Sequence, residues 1–351
     1  MQKKKITSQF RMPAEFEKHE ATILAWPHNP NDWPGKFSPI NWVYTEIVKN
    51  IVKHERVRLI VKSVDHEKRI KSMLNKAHVD ISQIDFLQFD TDRSWMRDSS
   101  PSFVKDEKGN VKGVHFLFNG WAKYDNWKKD VFLPEFLTQT INKKLIAAKY
   151  KNRHVVLEGG SIDVNGKGTL VTTEECLMDD KIQVRNPGFS KTDYSEVFKK
   201  YLGISNVIWL NKGITGDDTH GHVDDLCRFV NPNTLLIVKE DNPKDDNYYN
   251  LNENIEILQD IKLENGKKPE IITLPMPSAL WFDKMRLPAS YANFYITNGS
   301  VLVPTFNDGN DRKALGIISE FFPTRKVIGI HATDLVWGLG TLHCLAHEEP
   351  A

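Results

Sequence analysis

The sequence predicts a single α/β domain built from five similar modules, and three observations carry that reading. Apolar, strand-like runs recur at "RLIVKS" (58–63), "VHFLFN" (114–119), "TLVTTE" (169–174), "TLLIVKE" (234–240) and "SVLVPTFN" (300–307). They are spaced by roughly 55 to 65 residues, longer than solenoid periods but within the bounds of a supersecondary repeat. Several of them lead into a helix and then another strand, the order that packs helices against a partly parallel sheet. No Pro/Gly/Ser-rich linker or low-complexity segment cuts the 351 residues, so one domain over 1–351 is expected rather than two. The competing fold is an irregular α/β sandwich in which the five-fold count is accidental.

The modules can be followed element by element. After the first run, "VDHEKRIKSMLNKAHV" places apolar residues at helical spacing and is followed by the strand-like "DFLQFD". After the last, "NDRKALGIISEFFP" opens on an acidic first turn, stops at Pro323 and gives way to "KVIGIHA". Both segments read strand, helix, strand.

Composition narrows the function. Forty-seven basic residues face forty-six acidic ones, a net charge of +1, so no global field favours nucleic acid or an anionic membrane. A small or locally recognised partner is expected. The leading "MQKKKITSQFRMP" is basic but lacks an apolar core behind it, and no stretch approaches the roughly 18 apolar residues of a membrane span. The expected location is the cytoplasm. Cys176, Cys227 and Cys344 are odd in number and widely spaced, which suits neither a disulfide framework nor paired zinc ligands. They read as reduced thiols, with Cys176 and Cys227 in apolar contexts that suit the core.

Four polar stretches lie at the edges of apolar runs, where a stiff backbone can aim a side chain: "SWMRDSSP" (94–101), "VVLEGGSID" (155–163), "GHVDD" (221–225) and "GLGTLHC" (338–344). They belong to different modules and meet only if the modules share an axis or cleft. Cys344 follows two glycines, which permit close backbone approach, and reads as a presented nucleophilic thiol or as a packed cysteine on the last strand. Asp98 and Glu158 taken singly read as a turn former and a strand end, and Asp224 supplies a third carboxylate. Together they suit a cation, because carboxylates accept paired N–H bonds from a planar guanidinium whose face Trp95 could cover. Arg97 reads as an internal counter-ion.

His222 would share a face with Asp224 if the segment were extended, and then serves as proton carrier. A metal reading instead takes His220, His222 and Asp224 as ligands, but the final His of the zinc-hydrolase pattern His-x-His-x-Asp-His is missing.

These motifs, in order, resemble the agmatine deiminase family of guanidine-modifying, pentein-fold enzymes, which includes peptidyl-arginine deiminase-like members. The likeness runs through "RMPAEFEKHEATILAWP", "SWMRDSSP", "FNGWA", "LEGGSIDVNGKGTLVTTEECL", "GDDTHGHVDDLCRF", "RLPASYANFYITNGSVLVPTFND" and "GLGTLHC". It implies a five-bladed α/β propeller of ββαβ modules around a pseudo-five-fold axis, with no metal and no cofactor. By motif position it implies Cys344 as nucleophile, His222 as general acid/base with Glu158 as its partner, and Asp98 and Asp224 as guanidinium-binding carboxylates. Trp95 and Gly340 join the two aspartates as expected substrate contacts, and His220 has no role. The implied reaction is hydrolytic deimination of agmatine to N-carbamoylputrescine and ammonia through an S-amidino-cysteine. The alternatives are a deiminase of free or peptidyl arginine, or a non-catalytic guanidine-binding protein. A small guanidine is the expected partner, and self-association is left open.

The chain departs from the family pattern at four places: Arg93 replaces an acidic residue, Ser100 and Leu339 replace glycines, and Ala346 replaces a threonine. Arg93 either bears on the substrate's tail, where it repels an ammonium, or points to solvent or pairs with Asp90 or Asp92.

Overall fold

In the computed structural model residues 9–351 are described, so the basic leader through Ser8 lies outside them. The described residues form a mixed α/β structure with five sheets of three or four strands and two short two-stranded ones. Each larger sheet joins an antiparallel pair to a parallel one. In one, Asp163–Val164 runs antiparallel to Thr169–Thr173, which pairs in parallel with Asn206–Leu210. A parallel neighbour needs a crossover, and here the helix Lys191–Leu202 supplies it. The five expected strand runs fall in five different sheets.

Local sequence explains where the helices start and stop. The helix Lys191–Leu202 opens on a capping box in which Ser190 and Asp193 satisfy each other's backbone N–H groups, and it ends at Gly203 in the left-handed conformation. Its buried face is Tyr194, Val197, Phe198, Tyr201 and Leu202, the spacing of one helical stripe. The expected helix after the first strand run is Val64–Lys76, capped by the Ser63 side chain and acidic in its first turn. The one before Pro323 is Asp311–Phe321. Middle strands are buried on both faces: Leu235, Leu236, Ile237 and Val238 in Thr234–Lys239 are fully enclosed, as covered sheets require.

Two expectations need correction. The run 114–119 does not continue as a strand: Val111–His115 ends there, and Leu117 makes only an isolated bridge to Val156. The segment 220–225 is not extended either, because His220 takes a left-handed φ of 63° and Val223–Asp225 forms a 3-10 turn.

The C-terminal strand His347–Pro350 pairs antiparallel with His19–Ala25, which pairs in parallel with Arg56–Val61. Residues before that closing strand, Cys344 among them, are thereby drawn against the N-terminal part of the chain. No helix among the described residues is long and apolar enough to cross a membrane.

Candidate active site

The four polar stretches meet. Asp98 lies on the single-turn helix Met96–Ser99, Glu158 immediately precedes the 3-10 turn Gly159–Ser161, His222 precedes the turn Val223–Asp225, and Cys344 lies on the turn Leu342–Leu345. All are buried. Asp98 is fixed by two donors, the Gly160 N–H at 2.9 Å and the Trp121 indole N–H at 2.8 Å. Gly160 has to lack a side chain: a Cβ there would lie 2.6 Å from His222 Nδ1, 3.0 Å from Asp98 and 3.1 Å from Asp224. The Gly-Gly pair therefore lets three functional groups converge on one backbone segment.

His222 is held through its backbone. Asp217 accepts N–H bonds from Gly221 at 2.8 Å and His222 at 2.9 Å, which pins the turn. The ring lies 3.9 Å from Asp98 Oδ1 through Nδ1 and 3.9 Å from Glu158 Oε2 through Nε2. Glu158 is anchored from behind by Arg185, whose Nε donates at 3.1 Å with both side chains fully enclosed. Asp224 Oδ2 accepts from His343 Nδ1 at 2.7 Å, and the other ring nitrogen of His343 reaches Glu15 at 2.7 Å. Glu15 is in turn paired with Arg97 and Arg228, so Arg97 is the internal counter-ion expected of it.

These charges set the chemistry. Burial opposes the charged form of His222, but Asp98, the Cys176 sulfur and Asp224 outweigh it and hold the imidazolium well above its ordinary range. Burial raises the Asp224 carboxyl, yet the bond and charge of His343 bring it below the usual range, so it is ionised. Burial, with Asp224 and Glu158, raises Asp98 despite His222. The Cys344 thiol is pushed well up by burial, then by Asp224, Asp225 and Asp98. The resting site thus holds Cys344 as a thiol and His222 as an imidazolium, each beside carboxylates.

Several buried polar atoms in this cluster lie beyond hydrogen-bond distance of a protein partner: Glu158 Oε2, both ring nitrogens of His222, and Asp224 Oδ1. Buried polar atoms are nearly always paired, so a cluster of unpaired ones marks where a ligand's groups belong. Cys344, Asp98, Trp95, Trp121 and Gly340 line one cavity of about 260 Å³. Gly340 is also sterically required, since a Cβ there would stand 2.9 Å from Trp95 and 3.2 Å from the Cys344 sulfur.

Arg93 lines the same cavity. It does not pair with Asp90 or Asp92, which face Lys129; instead its Nη1 donates to Asp32 at 2.7 Å and its guanidinium carbon lies 4.6 Å from the Tyr124 ring centre. A cation–π contact and a buried partner hold it against the cavity wall. Leu339 also lines the cavity and takes a left-handed φ of 66°, the conformation a glycine adopts without strain. Ser100 has an ordinary extended backbone and Ala346 is fully enclosed, so neither position demands the family residue conformationally.

The metal set His220, His222 and Asp224 does not assemble. His220 turns away to Asp179, 2.8 Å from its Nε2. Among the described residues two other buried triads could offer ligand atoms, Glu158 with Cys176 and His222, and Asp224 with Asp225 and Cys344. In the first, a cation would compete with the Arg185 guanidinium already on Glu158. Sequence reasoning gave no role to Trp121, Arg185, Asn293 or His343. Trp121, Asn293 and His343 lie within the family-like motifs, but nothing local shows that their side chains reach Asp98, Cys344 and Asp224.

Residues 11–350 match the family model of the Porphyromonas-type peptidyl-arginine deiminases. The chain belongs to this family. The agmatine deiminase of Pseudomonas aeruginosa (strain LESB58) is 32% identical over 364 aligned positions, covering 97% of this chain and 96% of that protein. Among solved structures, a cysteine-to-serine variant of C. jejuni agmatine deiminase with substrate bound superposes with a TM-score of 0.86 at 29% identity, covering 97% of this chain and 96% of that one. The agmatine deiminase of Enterococcus faecalis superposes with a TM-score of 0.88 at 28% identity, with the same coverage.

Proposed function

We propose that the chain is a guanidine deiminase acting on agmatine, with Cys344 as the nucleophile. The observation that carries the reading is that Cys344 and Asp98 line one cavity, with Asp224 Oδ2 3.5 Å from the sulfur and the His222 ring 3.9 Å from both Asp98 and Glu158. A guanidinium offers N–H donors in a plane, which match carboxylate acceptors in number and geometry. Curated agmatine deiminases cover nearly the whole chain, which supports agmatine as that guanidine. We read the five sheets as the blades of a propeller, with the polar turns between strands gathered at its axis.

The reaction follows from the charges. The incoming guanidinium offsets Asp98 and Asp224, the groups that disfavour the thiolate, so sulfur loses its proton where its target lies. The sulfur lone pair forms a C–S bond, and the C=N electron pair moves onto nitrogen. His222 protonates one amino group, the C–N bond breaks with its pair on nitrogen, and ammonia departs from an S-amidino-cysteine. Neutral His222 then takes a proton from water, the oxygen adds to carbon, and the C–S bond breaks with its pair on sulfur. The hydroxyl proton returns to sulfur and restores the thiol, the product is ureido, and the proton first released by the thiol leaves with ammonia as ammonium.

A second reading, free or peptidyl arginine, is favoured by one observation: Arg93 stands in the cavity wall where the family carries an acid. Ammonia release from agmatine, arginine, arginine methyl ester and an arginyl peptide separates the two. Agmatine should be turned over fastest. Ammonia from none of the four would overturn the deiminase reading.

A further inference from the structure

We infer that Asn293 is a catalytic residue, its side-chain N–H holding the Cys344 sulfur and stabilising the thiolate as it forms. The inference rests on Cys344 as the nucleophile. Asn293 is fully buried in "SYANFYI", and its Nδ2 donates to Cys344 Sγ at 3.1 Å. Its Oδ1 accepts from the Thr341 hydroxyl at 2.8 Å, the His343 N–H at 3.0 Å and the Cys344 N–H at 3.4 Å. Those three donors fix the amide's orientation, because a flipped amide would set an NH₂ against them all. One side chain therefore grips the nucleophile's turn with its oxygen and the nucleophile itself with its nitrogen.

The sulfur's other surroundings oppose a thiolate. Its thiol points at Asp224 Oδ2, 3.5 Å away, and Asp98 and Asp225 add negative charge. The basic groups close by have other partners: His343 bridges Asp224 and Glu15, and His222 lies between Asp98 and Glu158. Asn293 is the donor that touches sulfur, and its bond to an ionised acceptor is stronger than to a neutral one. No proton is transferred from it. It donates when the S–C bond forms and again when that bond breaks and the electron pair returns to sulfur.

The test is the pH midpoint of iodoacetamide alkylation at Cys344, located by peptide mass, alongside steady-state kinetics. In Asn293→Ala the midpoint should rise, and alkylation at pH 8 and kcat should both fall about 10- to 100-fold, the range for a hydrogen bond to a charged group. KM should move less than threefold. Should Asn293→Ala not fold, Asn293→Asp carries the test: it keeps an acceptor for the turn, removes the amide donor, and should also raise the midpoint. Thr341→Val loosens the turn without touching the donor and should leave the midpoint in place. A wild-type midpoint and alkylation rate in the Asn293 variants, with Cys344→Ala inactive, would overturn this inference alone. Turnover by Cys344→Ala would instead overturn the nucleophile on which it rests.

Discussion

Replacing Asp32 by asparagine should convert the far end of the cavity from a neutral pair to an uncompensated cation. Asp32 accepts from Arg93 at 2.7 Å, and its side chain is 1% exposed against 11% for Arg93. Burial pushes the Asp32 carboxyl up to about 6 against the pull of Arg93, so above that pH it is ionised and cancels the guanidinium. Asparagine keeps the shape and an acceptor but removes the charge. For a substrate ammonium about 6–8 Å from Arg93, at an effective dielectric of about 20–40, the penalty is about 1–3 kcal/mol. The kcat/KM for agmatine should then fall about 5- to 100-fold. Arginine, whose tail carries both an ammonium and a carboxylate, should change little. The assay is ammonia release from each substrate at pH 8 and low salt, where screening is least. In the wild type, lowering the pH through about 6 protonates Asp32 and should lower the agmatine-to-arginine ratio in the same direction. A ratio within twofold of wild type in Asp32→Asn would show that the Arg93–Asp32 pair does not read the tail.

Other expectations follow from the site and its surroundings. Cys344→Ala should abolish ammonia release while keeping the wild-type melting curve, and intact-mass analysis of His222→Ala given substrate should detect an amidino adduct; activity within tenfold of wild type in Cys344→Ala would remove the thiol from the mechanism. Exhaustive chelation should leave turnover unchanged, with elemental analysis well below one zinc per chain, whereas stoichiometric zinc lost together with activity would restore a metal-hydrolase reading. Burial raises the Asp130 carboxyl to about 8, so the folded state keeps its proton while the unfolded chain loses it above about 4. Stability from this group is present in acid and declines by about 1.4 kcal/mol per pH unit until about pH 8. Asp130→Asn should therefore gain in melting temperature over wild type as the pH rises from 5 to 8.5, and a gain that shrinks over that range would refute the assignment.

Sequence by itself determined the elements and much of the site's membership. Hydrophobic period, caps and breakers are local, so Val64–Lys76 and Asp311–Phe321 could be read from spacing, the acidic first turns and Pro323. The motif order named Cys344, His222, Glu158, Asp98 and Asp224, and the structure brings all five to one place. What it could not determine was direction. His222 and Asp224 converge through a turn rather than along a strand, because a left-handed His220 redirects the backbone. Arg93 finds Asp32, 61 positions away, in preference to the aspartates beside it. Asn293 reaches a sulfur 51 positions later, and His343 bridges Asp224 to Glu15 near the N-terminus. These pairings depend on which turns the five sheets bring together and on burial that makes each unpaired charge costly. Both are properties of the packed chain, since no short stretch of sequence contains both partners of such a contact.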